Sequence, residues 1–124
     1  MPRPVLIYDG DCGFCRRSVA RMRRQTGEAV EYLAQQAPEC AARFPMLRAG
    51  DLAESVHLVE PGGRVTRGAE AVFRALAVNA RRAWLARCYE RRRWFARLSE
   101  CAYGWVARHR VFMSRLTRPF LRGE

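Results

Sequence analysis

The chain has 124 residues, 28% of them charged, five of them cysteine, and a formal charge of +11. That length fits one domain able to bury roughly two thirds of the surface its unfolded form exposes, so folding needs no disulfide scaffold and the cysteines require another explanation. No stretch approaches the ~18 apolar residues of a membrane span, and Met1-Pro2-Arg3-Pro4 leads into a short apolar run without the features of a secretory signal. A cytosolic protein is expected, a setting in which structural disulfides are rare.

Residues 4 to 8, ending in Val5-Leu6-Ile7-Tyr8, read as a short buried strand, and Asp9-Gly10-Asp11 as a turn. From Cys12, apolar residues recur at Cys15, Val19, Ala20 and Met22 with arginines between them, which predicts an amphipathic helix stopped by Gly27. Ala29 to Leu33 alternates like a strand, and its place after that helix predicts a βαβ unit with two parallel strands. In the weaker pattern of residues 35 to 52, Pro38 starts a short helix through Phe44, Pro45 interrupts it, and Met46 to Leu52 forms another turn or two. Ser55 to Glu60 and Arg64 to Arg67 flank Pro61-Gly62-Gly63, a turn sequence that predicts a β-hairpin. Gly68-Ala69-Glu70 then opens a helix with Val72, Phe73, Leu76 and Ala77 on its apolar face.

From Arg81 onward no strand signal remains. Leu85, Cys88, Tyr89, Phe95 and Leu98 mark one helix, and Ala102, Trp105, Val106, His109, Phe112, Met113 and Leu116 a second. The expected organisation is a core over residues 1–80 and an Arg-rich helical extension over 81–124 packed on it, within one structural domain, with a boundary at Asn79 to Arg82. Charge divides the same way. All basic residues are Arg; residues 1–80 hold 11 of them against 9 acidic residues, and residues 81–124 hold 12 against 3. Such a tail would attract nucleic acid, anionic lipid or an acidic protein.

Chemistry concentrates at Cys12-Gly13-Phe14-Cys15. Two cysteines with two residues between them can close a disulfide when the segment is helical, and a helix beginning at the first directs unpaired N–H groups at its sulfur, favouring thiolate. Exchange requires one exposed, acidified thiol to attack and a second within reach to resolve the mixed disulfide. Cys12 and Cys15 suit those roles, with Arg16 and Arg17 promoting ionisation and Asp9 and Asp11 opposing it. Asp9 has two readings: it accepts a proton from Cys15 during exchange, or it satisfies N–H groups in the turn. A metal knuckle would need two further ligands. Cys40, Cys88, Cys101, His57 and His109 form no second CxxC or short Cys/His pair, so neither a metal nor another cofactor is expected.

Tyr8-Asp9-Gly10-Asp11-Cys12-Gly13-Phe14-Cys15 resembles the signature of the DCC family of thiol-disulfide oxidoreductases. Val56-His57-Leu58-Val59 through Gly63-Arg64-Val65 resembles the family's hairpin, Arg67-Gly68-Ala69-Glu70-Ala71 its following helix start, and Tyr103 with Ala107-Arg108-His109-Arg110 its C-terminal signature. The resemblance implies an α/β fold: a thioredoxin-like mixed sheet of about four strands flanked by helices, with the dithiol at the start of the first helix and a C-terminal two-helix extension. It implies thiol-disulfide exchange with a protein disulfide or a glutathione-type small thiol. Ordinary thioredoxins place a cis-proline before the third strand, where the backbone receives the substrate chain. Here that region is Ala53-Glu54-Ser55, with Ser55 at roughly that place, which favours a narrower substrate or a small thiol.

Cys40, Cys88 and Cys101 are expected to be buried or half-buried apolar residues. His57 is expected to be a hydrogen-bonded core or edge residue, and His109 to have a structural role on the apolar stripe. Trp84, Trp94 and Trp105, with Phe95, Tyr103 and Phe112, are expected to pack against the sheet, the alternative being a face lying on a membrane surface. Arg91-Arg92-Arg93 reads as a solvated helix face. Its alternative is a dock for an acidic protein or anionic membrane, with the dithiol as a switch and the cytosolic protein peripheral at the membrane. Nucleic acid is not expected, because no binding motif accompanies the charge.

Overall fold

A computed structural model describes residues 3–117; the expectations for Met1-Pro2 and for residues 118–124 lie outside the described residues. The chain order is β1 (Val5–Tyr8), α1 (Gly13–Thr26), a 3-10 turn (Gly27–Ala29), β2 (Glu31–Ala34), α2 (Pro38–Arg43), α3 (Ala49–Glu54), β3 (His57–Val59), β4 (Val65–Arg67) and α4 (Gly68–Leu76). Three helices follow: α5 (Ala83–Arg91), α6 (Arg93–Arg108) and α7 (Arg110–Thr117).

The strands form one mixed sheet in the order β2-β1-β3-β4. β1 runs parallel to β2, with Val5 opposite Glu31 and Tyr8 opposite Ala34, as the βαβ reading requires. It runs antiparallel to β3, with Leu6 opposite Leu58, and β3 pairs antiparallel with β4 around the predicted turn. Alternating side chains of β1 serve both faces. Leu6 and Leu58 pack with Val19 of α1 and Ala71 and Ala75 of α4 on one side. Val5, Ile7 and Leu33 pack with Cys40 of α2 and Leu52 of α3 on the other. This is a thioredoxin-like arrangement of a central sheet between helical layers.

Local sequence explains the helix ends. Gly27 closes α1 at φ 56°, a conformation costly for a residue with a Cβ, and its N–H donates to the Arg23 carbonyl. Pro38 occupies the first turn of α2. The N-terminus of α4 is capped from a distance: Glu100 on α6 accepts the Ala69 N–H at 3.0 Å and the Glu70 N–H at 3.4 Å, and also the Tyr89 hydroxyl at 2.6 Å. One carboxylate thus joins α4, α5 and α6.

The extension differs from the expected pair of helices. The chain leaves helical geometry at Arg92, with φ −122° and ψ 108°, and again at His109, with φ −113° and ψ 37°, so three helices replace two, and α6 runs unbroken across the expected boundary between Leu98 and Ala102. No proline or glycine stands at either position, and the apolar spacing continues through both breaks. Packing imposes them: α5 and α6 lie on α4, while α7 turns back onto α1. The tryptophans are a second difference. Trp84, Trp94 and Trp105 are exposed, as are Leu98 and Phe112. Phe95, by contrast, stacks on Phe73 of α4 with ring centroids 5.7 Å apart. The side chain of Leu116 lies outside the described residues.

Candidate functional site

β1 delivers the chain into the turn Asp9-Gly10-Asp11, which is braced from both sides. The Asp9 Oδ1 accepts the Asp11 N–H at 3.0 Å and the Gln36 side-chain amide at 2.7 Å. The Gln36 Oε1 accepts the Gly10 N–H at 2.8 Å, and its amide also reaches Asp11 Oδ2 at 3.3 Å. The Asp9 carbonyl accepts the Cys12 N–H at 3.3 Å. α1 therefore starts at a fixed place, with Cys12 as its N-cap, φ −91° and ψ 118°.

At that cap Cys12 Sγ accepts the Cys15 N–H at 3.3 Å, the bond that a serine or aspartate oxygen makes at other helix starts. The Cys15 thiol also hydrogen-bonds to it. That bond, with smaller help from the backbone N–H and the Arg110 charge, outweighs burial and Asp9 and holds the Cys12 thiol down to about 6. Cys15 is pushed the opposite way, first because its proton is held in the bond to Cys12, then by burial. The pair is thus a thiolate beside a thiol. Both sulfurs are free and both residues half-buried. Cys15 lines an apolar cavity of about 660 Å³ together with Phe14, Val19, Val56, Phe73 and Tyr103.

The cation acting on Cys12 comes from the far end of the chain. Arg110, at the start of α7, places Nη1 3.1 Å from Asp9 Oδ2 and Nη2 3.2 Å from the Glu54 carbonyl. It thereby ties the turn before Cys12 to the segment before β3. The contribution expected from Arg16 and Arg17 gives way to it: the Arg16 guanidinium donates to the Gly10 carbonyl at 2.9 Å and braces the turn, and Arg17 is buried on α1. Arg110 belongs to the Arg108-His109-Arg110 run, but its partners Asp9 and Glu54 are remote in sequence and no local spacing identifies them. Tyr103, also in that signature, has its hydroxyl oxygen accepting the Val56 N–H at 2.9 Å.

The remaining expectations divide. Ser55 is extended, with φ −156° and ψ 160°, and the described residues contain no cis peptide bond. His57 is buried, and its Nδ1–H donates to the Ser55 carbonyl at 3.0 Å. Cys40 is buried and Cys88 half-buried, but Cys101 is exposed, because α6 turns that side outward. His109 is also exposed rather than packed in an apolar stripe; it ends α6, stacked on Trp105 with centroids 4.4 Å apart. Arg91, Arg92 and Arg93 surround the break between α5 and α6 and are all exposed. No group of three or more His, Cys, Asp or Glu suited to a metal ion occurs among the described residues. No helix there is long and apolar enough to cross a membrane.

Residues 6–116 match the family described as DCC1-like thiol-disulfide oxidoreductase. No curated protein and no solved structure gives a match.

Proposed function

The chain belongs to the DCC1-like thiol-disulfide oxidoreductase family, and within it we propose that Cys12 and Cys15 are the exchanging pair. The observation that carries this reading is the helix cap itself, where Cys12 Sγ receives the Cys15 N–H at 3.3 Å; this bond and the neighbouring Cys15 thiol favour the Cys12 thiolate. In the reducing direction the Cys12 thiolate attacks one sulfur of a substrate disulfide, an S–S bond forms to Cys12, and the first substrate thiolate leaves. Ionisation of Cys12 is lost in that step, so the bond that held the Cys15 proton disappears. Cys15 then gives up its proton to the first released substrate thiolate and attacks Cys12 Sγ, and the second substrate thiolate leaves. Two electrons pass to the substrate, and the Cys12–Cys15 disulfide remains for an external thiol to reduce.

Asp9, Asp11 and Arg16 act as positioning residues that fix the turn before Cys12, and Ser55 shapes the segment facing it. Asp9 fits the turn-forming reading, since both its carboxylate oxygens are occupied. The substrate is a thiol or disulfide compound, protein or small molecule.

Cys12→Ser is expected to abolish exchange, and Cys15→Ser to accumulate mixed disulfides, both read by non-reducing mass spectrometry with a disulfide substrate. Equal residual turnover in the two variants would remove the assignment.

A second reading has one observation in its favour. Trp94, Leu98 and Trp105, at 61%, 62% and 46% exposure, recur on one face of α6 beside Arg91, Arg92 and Arg93. A basic helix with exposed aromatics suits an anionic membrane surface or an acidic protein. Sedimentation with anionic vesicles, weakened by salt and by neutralising the three arginines, would support docking; no sedimentation at low salt would reject the membrane form.

A further inference from the structure

The chain between α3 and β3 runs extended beside the dithiol. Arg110 links the Glu54 carbonyl to Asp9, whose own carbonyl accepts the Cys12 N–H, while Val56 lines the same cavity as Cys15. An extended segment normally presents N–H and C=O groups to which an incoming chain can add as a strand. On this one the outward groups are taken from within the molecule.

The Glu54 carbonyl accepts Arg110 Nη2 at 3.2 Å, and the Val56 N–H donates to the Tyr103 hydroxyl at 2.9 Å. The other groups are held by neighbouring core segments. The Ser55 N–H donates to the Asp51 carbonyl, the Ser55 carbonyl accepts the His57 Nδ1–H, and the Val56 carbonyl accepts the Gly68 N–H. Ser55 is extended, so the Glu54 C=O at the end of α3 and the Val56 N–H, on either side of it, point to the same side, where one incoming residue would bridge them. Both are covered by side chains of the C-terminal extension, Tyr103 on α6 and Arg110 on α7. What stays accessible next to Cys15 is the apolar cavity, whose volume suits a small molecule.

We propose that Tyr103 and Arg110 form a cap over residues 54–56 that denies this segment to an extended peptide. The dithiol then exchanges with low-molecular-weight thiols and disulfides in preference to protein disulfides. The inference rests on the assignment of exchange to Cys12 and Cys15 and names its substrate class. Tyr103 and Arg110 are specificity-determining residues in it, because a peptide must break their two hydrogen bonds before it can make its own.

The test uses the full-length reduced protein and two substrates, glutathione disulfide and a disulfide-bonded unfolded protein. Rate constants are measured for the parent chain, Tyr103→Phe, Arg110→Gln and the double variant. The readout is the protein-to-glutathione ratio within each variant, which cancels any change in thiolate reactivity. The parent is expected to favour glutathione disulfide. Each single change releases one main-chain group, so the ratio should rise by about two- to tenfold, and further in the double variant. If Tyr103→Phe fails to fold, Arg110→Gln decides alone. An unmoved ratio, or a parent that reduces both substrates equally fast, overturns the cap. A parent inert towards both substrates, or one whose reaction survives Cys12→Ser, removes the exchange assignment and the cap with it. Cys12-dependent reaction with an unmoved ratio removes the cap alone.

Discussion

Cys12 and Cys15 sit within one helical turn yet are driven to opposite protonation states, because a single proton is shared in a bond that favours the Cys12 anion. Only the thiolate is nucleophilic. With the Cys12 thiol lowered to about 6, its alkylation by iodoacetamide should rise as pH increases through about 6 and level off above it, while Cys15 stays unreactive across the neutral range. Quench-labelling with mass spectrometry reads the Cys12 midpoint and the absence of Cys15 labelling; a Cys12 midpoint near that of an ordinary thiol, about 8.5, would contradict the arrangement. Arg110 lowers the Cys12 thiol, so Arg110→Gln should move its midpoint upward in the same assay. The attacking residue was legible in the sequence, because a CxxC after a strand is a local pattern. Arg110 was not, because its partner Asp9 lies 101 residues away.

At the scale of elements, polar groups fasten the C-terminal helices to the core beside the ring contacts of Phe73 with Tyr89 and Phe95. Arg67 precedes α4 and offers it no side-chain cap; the Glu100 carboxylate supplies one from α6. Gly68 is required for that approach: it has φ +68°, and a Cβ there would lie 2.6 Å from Glu100 Oε1. Glu100→Ala should therefore cost about 1–2 kcal/mol of stability in urea unfolding, from the lost cap and an unpartnered helix start. Gly68→Ala should cost a similar ~1–2 kcal/mol through its left-handed backbone. Retention of full stability by both variants would rule out this fastening. Neither feature was visible in helical periodicity, which relates residues three or four apart. The same blindness explains the breaks at Arg92 and His109, where the apolar spacing runs on but the path turns.

Across the whole molecule, two cores share one sheet. Leu58, 1% exposed at the centre of β3, belongs to the core under α1 and α4, and Leu58→Ala should lower stability by about 2–5 kcal/mol. Leu98 looked equivalent in the sequence, one apolar residue in a helical stripe. It is exposed, and Leu98→Ala should stay within about 0.5 kcal/mol of the parent in the same urea titration. Comparable losses at both sites would mean that α6 buries its outer face.

Local sequence sets the strand–dithiol–helix unit, the parallel β1–β2 pair, the hairpin after Ser55 and the start of α4. Each rests on neighbours within a few residues: alternation, a proline at a helix start, a glycine at a helix stop, a turn tripeptide. Tertiary structure alone decided which residues of the extension are buried, where its helices break, and that Tyr103 and Arg110 return to the dithiol. Those outcomes depend on α7 packing against α1 and α6 against α4. Hydrogen bonds and ion pairs across such separations follow from the path of the chain, and local spacing carries no record of it.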